Sequence, residues 1–202
     1  MKQLSGKKKQ CPECKIKFLP DRPMQKVCSP KCAIAYQAKQ RQKKKQAQEK
    51  KQREQTREAR NRLKTVSEWK REVQPIFNKM RKLEELLWFK DRGIEPYCIS
   101  CQKPLGNDQW CCGHYKTRKA RPDLAFDRKN TFLQHNKNCN MSLSGDIRGY
   151  EEGLVFRFGE QEAKEILEYC SIEKPVIRRN PEDWEAMKKE YRAKIRELEK
   201  LL

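Results

Sequence analysis

The chain has 202 residues, of which 48 are Lys or Arg and 28 are Asp or Glu, so its formal charge is +20. Hydrophobic residues make up 36% and aromatic residues 8%, a low share that favours several small cores over one large core. No run of about 18 apolar residues is present, which argues against a membrane-spanning helix. The first residues lack the apolar stretch of a secretory signal, so we expect the ten cysteines to bind metal in a reducing compartment rather than form disulfides.

Most of the positive charge lies in the first third of the chain. Residues 1–64 carry 21 basic and 5 acidic side chains, a net charge of +16. This asymmetry predicts an anionic polymer such as a nucleic acid as partner. Basic side chains that neutralise its phosphates release condensed counterions, and this release favours binding. A solvated basic helix that only aids solubility is the alternative. Membrane attachment is not expected, because residues 39–64 contain too few apolar side chains to form an amphipathic anchor.

Helical patterns fill the middle and the end of the chain. Residues 33–64 lack Gly and Pro and are rich in good helix formers, so they predict a solvated basic helix. A capping box over 65–68 then begins an amphipathic helix that Pro75 should kink or interrupt and that Gly93 should end.

Two further helices are predicted at 159–170 and 181–202, the latter capped by Asn180-Pro181. The apolar faces at 69–87 and 184–202 are expected to pack on each other or on a second copy of the chain.

A first cysteine cluster lies near the amino terminus. Cys11-Pro-Glu-Cys14 is followed, after 13 intervening residues, by Cys28-Ser-Pro-Lys-Cys32. The two-residue spacing lets both thiolates of the first pair reach one zinc ion at about 2.3 Å, and the second pair can complete a tetrahedron. We therefore predict a closed structural zinc site, which leaves no position for water and should perform no chemistry. Its predicted ligands are Cys11, Cys14, Cys28 and Cys32.

A second cluster opens with Cys98-Ile-Ser-Cys101, but His135-x3-Cys139 follows only after 33 residues. Ordinary zinc ribbons place the second pair about 15–20 residues on. The long insert contains His114, the only other histidine, which favours a zinc-stapled ββα unit whose hairpin holds a catalytic histidine. On spacing alone, His114 remains a candidate for catalysis, for zinc ligation beside Cys112, or for a purely structural role.

Residues 97–150 resemble the NinG/Rap proteins of lambdoid phages, and the resemblance extends over most of the chain. It is carried by Cys98-x2-Cys101, Trp110-Cys-Cys-Gly-His114-Tyr115, Asn130-x3-Gln134, Cys139-Asn140 and Ser144-Gly145. The resemblance implies an endonuclease that cuts branched recombination intermediates such as Holliday junctions and D-loops. It also implies a catalytic core similar to the HNH, or ββα-metal, nucleases.

The resemblance assigns roles to individual residues. His114 would be the general base that activates water, Asn130 would tie down the hairpin and orient His114, and Asn140 would bind a catalytic Mg²⁺ or Mn²⁺. Asp127 is a second candidate ligand of that ion. A structural zinc ion would be bound by Cys98, Cys101, His135 and Cys139. Contacts with the DNA backbone are expected from Lys43, Lys44, Lys45, Lys116, Arg118, Lys119 and Arg121.

The sequence also departs from the family pattern. Gly113 stands where many HNH enzymes carry an acidic metal ligand, and Cys111 stands where this family often has an acid. Asp108 or Asp127 could substitute for the missing acid. His135 replaces a cysteine in the second zinc site, and both residue types are zinc ligands.

We therefore predict a mostly α protein with small zinc-stapled α+β parts. Its segments are a zinc knuckle (1–32), a basic helix (33–64), an amphipathic helix (65–93), a ββα-metal nuclease domain (94–158) and carboxy-terminal helices (159–202). We expect a homodimer in the cytoplasm of the bacterial host, acting on branched DNA and in contact with other phage recombination proteins. The alternatives are a non-catalytic zinc-containing DNA-binding adaptor, or an HNH nuclease that nicks ordinary duplex DNA.

Overall fold

A computed structural model describes residues 7–107 and 109–202. The described chain is mostly helical, as predicted, with two small β-hairpins. It divides into two compact units, one ending at Leu63 and the other running from Lys64 to Leu202. The helices are α1 (Pro30–Leu63), α2 (Val66–Asp91), α3 (Ile147–Ser171) and α4 (Pro181–Leu201). The strands are β1 (Lys9–Gln10), β2 (Lys17–Phe18), β3 (Trp110–His114) and β4 (Thr131–His135).

The amino-terminal unit consists of a short hairpin and one long helix. Strands β1 and β2 pair antiparallel, with Lys9 opposite Phe18. Helix α1 begins at Pro30, three residues before the predicted start, because proline suits the first helical turn and the Ser29 hydroxyl accepts a hydrogen bond from the Cys32 amide at 3.3 Å. Its side chains are almost all exposed, as the absence of an apolar stripe predicts.

Helix α2 is the central element of the second unit. The predicted capping box is present: the Thr65 hydroxyl accepts from the Glu68 amide, and the Glu68 carboxylate accepts from the Thr65 amide. Gly93 lies just past the helix end with a φ of +64°, as the helix-end prediction requires. The helix is not interrupted at Pro75, which lies within it on the exposed side.

Helix α4 covers the apolar face of α2. Asn180 caps α4 by accepting from the Asp183 amide at 2.8 Å, and Pro181 occupies the first turn. The faces that we named as candidate dimer contacts are therefore buried against each other within one chain. Their shared core consists of Trp69, Val73, Phe77, Met80, Trp184, Tyr191, Ile195 and Leu198.

The second hairpin pairs β3 with β4 in antiparallel register, with Trp110 opposite His135 and His114 opposite Thr131. All five residues of β4 are buried, so the hairpin is held on both sides. After β4 the chain forms a π-helical turn over Asn136–Ser142. This turn carries the last cysteine of the second cluster.

Helix α3 follows the π-helical turn and is longer than predicted. It begins at Ile147 under an Asp146 cap, and it is broken at Gly159, whose φ of 80° and ψ of 168° are not helical. The sequence predicted a helix only from residue 159 onward, which is the second half of α3. The first half packs through Gly149 and Gly153 on the backbone of residues 99–100.

A buried charge network joins α2, β4 and α3. The Glu85 carboxylate binds Arg81 at 2.9 Å and Arg157 at 2.6 Å, and all three side chains are largely buried. Arg81 also donates to the carbonyl oxygen of Thr131 at 2.8 Å, and Arg157 lies over the Trp88 ring. Because removing one partner would leave a buried charge uncompensated, this network fixes the first residue of β4 relative to α2.

Candidate functional site

The first cysteine cluster is assembled by the β1–β2 turn and the start of α1. The sulfur atoms of Cys14 and Cys28 are 3.4 Å apart, and those of Cys28 and Cys32 are 3.7 Å apart. Thiolates that share one zinc ion at about 2.3 Å lie about 3.8 Å from each other, so the spacing fits zinc. The ligand atoms lie within 4.8 Å of one another in the predicted set Cys11, Cys14, Cys28 and Cys32.

The thiols of the amino-terminal cluster are shifted in opposite directions: the pKa of Cys11 is lowered, whereas the hydrogen bond with the Cys14 thiol, together with burial, raises the pKa of Cys28 to about 12. Burial alone would raise the pKa of Cys11. Backbone amides of Cys14, Cys28 and Glu13 outweigh that effect and lower the Cys11 pKa to about 6. A thiolate is therefore available near neutral pH, and this cluster could hold a structural zinc ion.

The second cluster joins a knuckle in the 98–104 turn to the end of β4 and to the π-helical turn. The Cys98 and Cys139 sulfur atoms are 3.7 Å apart, and the Cys101 sulfur lies 3.3 Å from Nδ1 of His135. The Cys98 sulfur also accepts from the His135 amide at 3.3 Å. The ligand atoms lie within 4.8 Å of one another in the predicted set Cys98, Cys101, His135 and Cys139.

The knuckle is held against its surroundings by close backbone contacts. The Ile99 amide donates to the Leu133 carbonyl at 2.8 Å, which attaches the knuckle to β4. On the other side, a Cβ atom at Gly153 would lie 1.6 Å from the Ile99 carbonyl oxygen, so only glycine allows α3 to approach this closely. The residues of the second cluster therefore connect the hairpin to α3.

A cavity of about 700 Å³ lies beside the hairpin. It brings together two of the residues predicted to act in catalysis, His114 at the end of β3 and Asn140 in the π-helical turn. Two basic residues predicted to contact DNA, Arg118 and Lys119, also line it. Cys111 lies in its wall, and none of the described lining residues is acidic.

The His114 ring is anchored at one nitrogen. Its Nε2 lies 3.2 Å from the carbonyl oxygen of Ala125. A carbonyl only accepts hydrogen bonds, so Nε2 carries the proton in the neutral ring and Nδ1 is the basic nitrogen. Burial lowers the pKa of His114 and Arg118 adds to this effect, while the carbonyl oxygens of Ala125 and Cys112 oppose it. The ring is therefore mainly neutral at pH 7 and able to accept a proton.

Asn130 holds the loop that follows His114. Its side chain is fully buried; its Oδ1 accepts from the Lys116 amide at 2.7 Å, and its Nδ2 donates to the carbonyl oxygens of Lys116 and Leu124 at 3.0 and 3.1 Å. Its own carbonyl accepts from the Tyr115 amide at 2.9 Å. Asn130 therefore fixes both ends of the segment between the hairpin strands, including the region of Ala125.

Asn140 presents one atom for coordination. Its Nδ2 donates to Oδ1 of Asn136 at 3.2 Å, one helical turn earlier. The Asn140 Oδ1 accepts no hydrogen bond from the described residues, and an amide oxygen is a suitable ligand for a hard divalent cation. Among the described residues, this amide therefore offers one oxygen ligand in the cavity. Because a single protein ligand binds a hydrated divalent cation weakly, the ion would also need oxygen ligands from a bound phosphate.

Gly113 is required by packing, which explains why no acid stands before His114. A Cβ atom at Gly113 would lie 2.4 Å from Oε1 and 2.9 Å from Cβ of Gln134 on β4. Gln134 cannot easily move, because its Nε2 donates to Ser100 Oγ at 2.6 Å and to the Gly145 carbonyl at 2.7 Å. Gln134 thus connects the hairpin to the knuckle and to the cavity wall at Gly145.

The other basic residues named from the sequence have different surroundings. All three lysines at 43–45 are exposed on α1. The Lys116 ammonium lies over the Tyr115 ring at 4.4 Å. Arg121 is bound to Asp123 at 2.6 Å and donates to two carbonyl oxygens near the end of α3, so its guanidinium ties down a loop rather than pointing at the cavity. We do not retain Arg121 as a phosphate contact.

Asp127 lies outside the cavity. One carboxylate oxygen accepts from the Lys129 amide at 2.9 Å and the other from the Tyr169 hydroxyl at 2.6 Å. The carboxylate therefore caps a 3₁₀ turn, and the structure does not bring Asp127 to Asn140. Asp108, the other acid considered from the sequence, lies outside the described residues.

Two residues of α2 that the sequence analysis did not single out contribute to the same region. Asn78 lines the cavity, and the buried Gln74 donates to the Ala125 carbonyl at 3.1 Å, the same oxygen that His114 contacts. The sequence provided only a weak indication of their role, since it shows two amide side chains four residues apart next to the apolar face of a helix. Nothing in the local sequence indicates that α2 reaches the loop at residue 125.

The fold and its clusters define a mainly helical protein with two four-ligand groups that could bind zinc. Among the described helices, none is long and apolar enough to cross a membrane.

The family model of the bacteriophage lambda NinG protein matches residues 3–201, so the chain belongs to the NinG family. Protein ninG of Escherichia phage lambda is 32% identical over 197 residues, which cover 92% of this chain and 90% of the relative. Protein ninG of Salmonella phage P22 shows the same identity and coverage. Protein ninG of Escherichia phage 933W is 30% identical over 136 residues, 67% of this chain and 61% of the relative. Comparison with solved structures gave no match.

Proposed function

We propose that this protein is a structure-specific DNA endonuclease of the ββα-metal (HNH-like) type, which cuts branched recombination intermediates such as Holliday junctions and D-loops. The observation that carries the proposal is the shared cavity of His114 and Asn140, with a proton-accepting nitrogen on one and an uncommitted oxygen on the other. The order of elements also supports it: an antiparallel hairpin and a helical turn, stapled by a four-ligand cluster.

His114 acts as the general base in this proposal. Its Nδ1 takes a proton from the attacking water, while the hydrogen bond from Nε2 to Ala125 keeps the ring in the required tautomer. The water oxygen attacks the phosphorus, the bond to the 3′-oxygen breaks, and that oxygen takes a proton from solvent, which leaves 5′-phosphate and 3′-hydroxyl ends. The lowered pKa of His114 keeps the base in its neutral form at physiological pH.

Asn140 is the residue that would hold a divalent cation, Mg²⁺ or Mn²⁺, through its Oδ1. Such an ion, when bound, stabilises the charge that develops on the phosphate. With one amide oxygen and no acidic residue among the described lining residues, the protein alone would bind the ion weakly, so binding should depend on the DNA phosphate.

The remaining charge provides affinity for DNA without reading sequence. Arg118 and Lys119 would contact the strand in the cavity, and the exposed lysines of α1 would contact the backbone elsewhere. We propose that a homodimer places two such sites on one junction, in the cytoplasm of the bacterial host, together with other phage recombination proteins. Because α2 and α4 cover each other, the dimer contact would use other surfaces.

The proposal is tested by cleavage of a labelled four-way junction and of a linear duplex of the same length, at one fixed salt concentration, with Mg²⁺, with Mn²⁺ and with chelator. Salt must be fixed because the basic chain binds any DNA at low ionic strength. We expect metal-dependent cutting of the junction well above that of the duplex. Equal cutting of both substrates would favour the duplex-nicking alternative. Tight junction binding without cutting under every metal condition would favour the non-catalytic adaptor.

A further inference from the structure

A hydrogen-bonded chain connects His114 to a cavity residue on α2. The Nε2 of Gln74 donates to the Ala125 carbonyl at 3.1 Å and to Oδ1 of Asn78 at 2.9 Å. Both N–H groups of the Gln74 amide are therefore used, and the Ala125 oxygen receives one bond from Gln74 and one from His114. Gln74 therefore holds both Asn78 and the Ala125 carbonyl group that contacts His114.

This chain determines which end of the Asn78 amide is available. Its Oδ1 is committed to Gln74, so the other end of the amide is Nδ2, with two N–H donors. These donors have no hydrogen-bond partner within the described ranges 7–107 and 109–202. Asn78 is half-buried and lines the cavity together with His114, Arg118 and Lys119. The cavity wall therefore offers an oriented donor beside two cations.

We propose that Asn78 is a substrate-binding residue, whose Nδ2 donates a hydrogen bond to a non-bridging oxygen of the DNA phosphate in the cavity. A phosphate oxygen only accepts hydrogen bonds and carries negative charge, so it matches both the Asn78 donors and the neighbouring cations. The inference rests on the proposed function for the identity of the ligand. Gln74 is the positioning residue that orients the Asn78 amide.

The test uses Asn78→Asp, which preserves size and the acceptor for Gln74 but replaces the donor by a charged oxygen. Lys79→Gln is the matched control, because it lowers the net charge by the same unit on an exposed neighbouring residue whose ion pair contributes little. Asn78→Ala removes the donor without adding charge. The readouts are the dissociation constant for a labelled four-way junction without divalent metal, and the cleavage rate with Mg²⁺.

We expect N78D to weaken junction binding by about tenfold or more and N78A by about fivefold, with Lys79→Gln close to wild type. Binding and cutting by N78D within about twofold of wild type would overturn the inference. Urea titration shows whether N78D is folded. If it is not, N78A provides the test, and junction binding by N78A at the wild-type affinity also overturns the inference. The wild-type chain could bind the junction without cutting it, while N78D binds the junction more weakly. That result would contradict the proposed function but would support this inference.

Discussion

The Nε2 atom of His114 lies 3.2 Å from the carbonyl oxygen of Ala125, eleven residues further along the chain. This contact assigns the proton to Nε2 and the basic lone pair to Nδ1. It depends on the loop between the hairpin strands, which Asn130 fixes at Lys116 and Leu124. The tautomer of the His114 ring therefore depends on a loop that the buried Asn130 amide holds in place.

The pH dependence of cleavage should show an acid limb with its midpoint below about pH 6.5, the ordinary pKa of histidine. Burial of His114 and the nearby Arg118 lower its pKa, so the ring stays neutral and able to accept a proton as the pH falls below that value. Activity is lost only when the pH drops through the lowered pKa. Arg118→Gln should move the His114 pKa upward.

The pKa itself can be measured by NMR, because the chain contains only two histidines. The other histidine is His135 of the second cluster, so the His114 signal is identified as the one that the His114→Ala variant lacks. A His114 pKa above 6.5 in the wild-type chain would contradict the burial argument.

Replacing Asn130 with Ala should destabilise the second unit by about 1–3 kcal/mol. The change removes three hydrogen bonds of a fully buried side chain and leaves the amide of Lys116 without its acceptor. Urea unfolding measures the effect, with the exposed Asn138→Ala as control. Unfolding of the Asn130 variant at the wild-type urea concentration would show that the loop does not depend on this amide.

Gly153→Ala should also destabilise the fold, although alanine is the better helix former. The added methyl group would lie 1.6 Å from the Ile99 carbonyl oxygen, so α3 must move away from the knuckle at a cost of about 1–3 kcal/mol. The half-exposed Val155→Ala in the same helix is the control. A gain in stability for Gly153→Ala would mean that α3 does not approach the knuckle this closely.

Metal analysis should find two zinc ions per chain. Cys98→Ser and Cys11→Ser should each lose one of them, because each removes one thiolate from a four-ligand cluster. Cys112→Ser should keep both ions, since this buried thiol belongs to neither cluster. Loss of zinc from the Cys112 variant would contradict the assignment of His135 and its three cysteines as the complete ligand set.

The features that local sequence determines were predictable. The capping box at Thr65 needs only residues three apart, and the Cys11–Cys14 spacing alone suggests a zinc knuckle. The structure brings together the first ligand set, which the spacing predicted, and the second set, which the family resemblance implied. The placement of His114 and Asn140 in one cavity followed from the family resemblance, and spacing alone left His114 undecided.

Contacts that depend on how helices pack could not be predicted. Arg121 was expected at the DNA because it is basic and near His114, but Asp123 and two carbonyl oxygens satisfy its guanidinium. Gln74 and Ala125 are 51 residues apart, and no local pattern records their contact. The same applies to the approach of Gly113 to Gln134, which excludes an acid beside the histidine.

We propose that His114 performs the chemistry and that the zinc clusters do not. The most direct measurement is cleavage of a four-way junction by the His114→Ala variant in Mg²⁺, with junction affinity and zinc content measured on the same preparation. We expect cutting to be lost while junction binding and both zinc ions are retained. Cleavage by this variant at the wild-type rate would contradict this proposal.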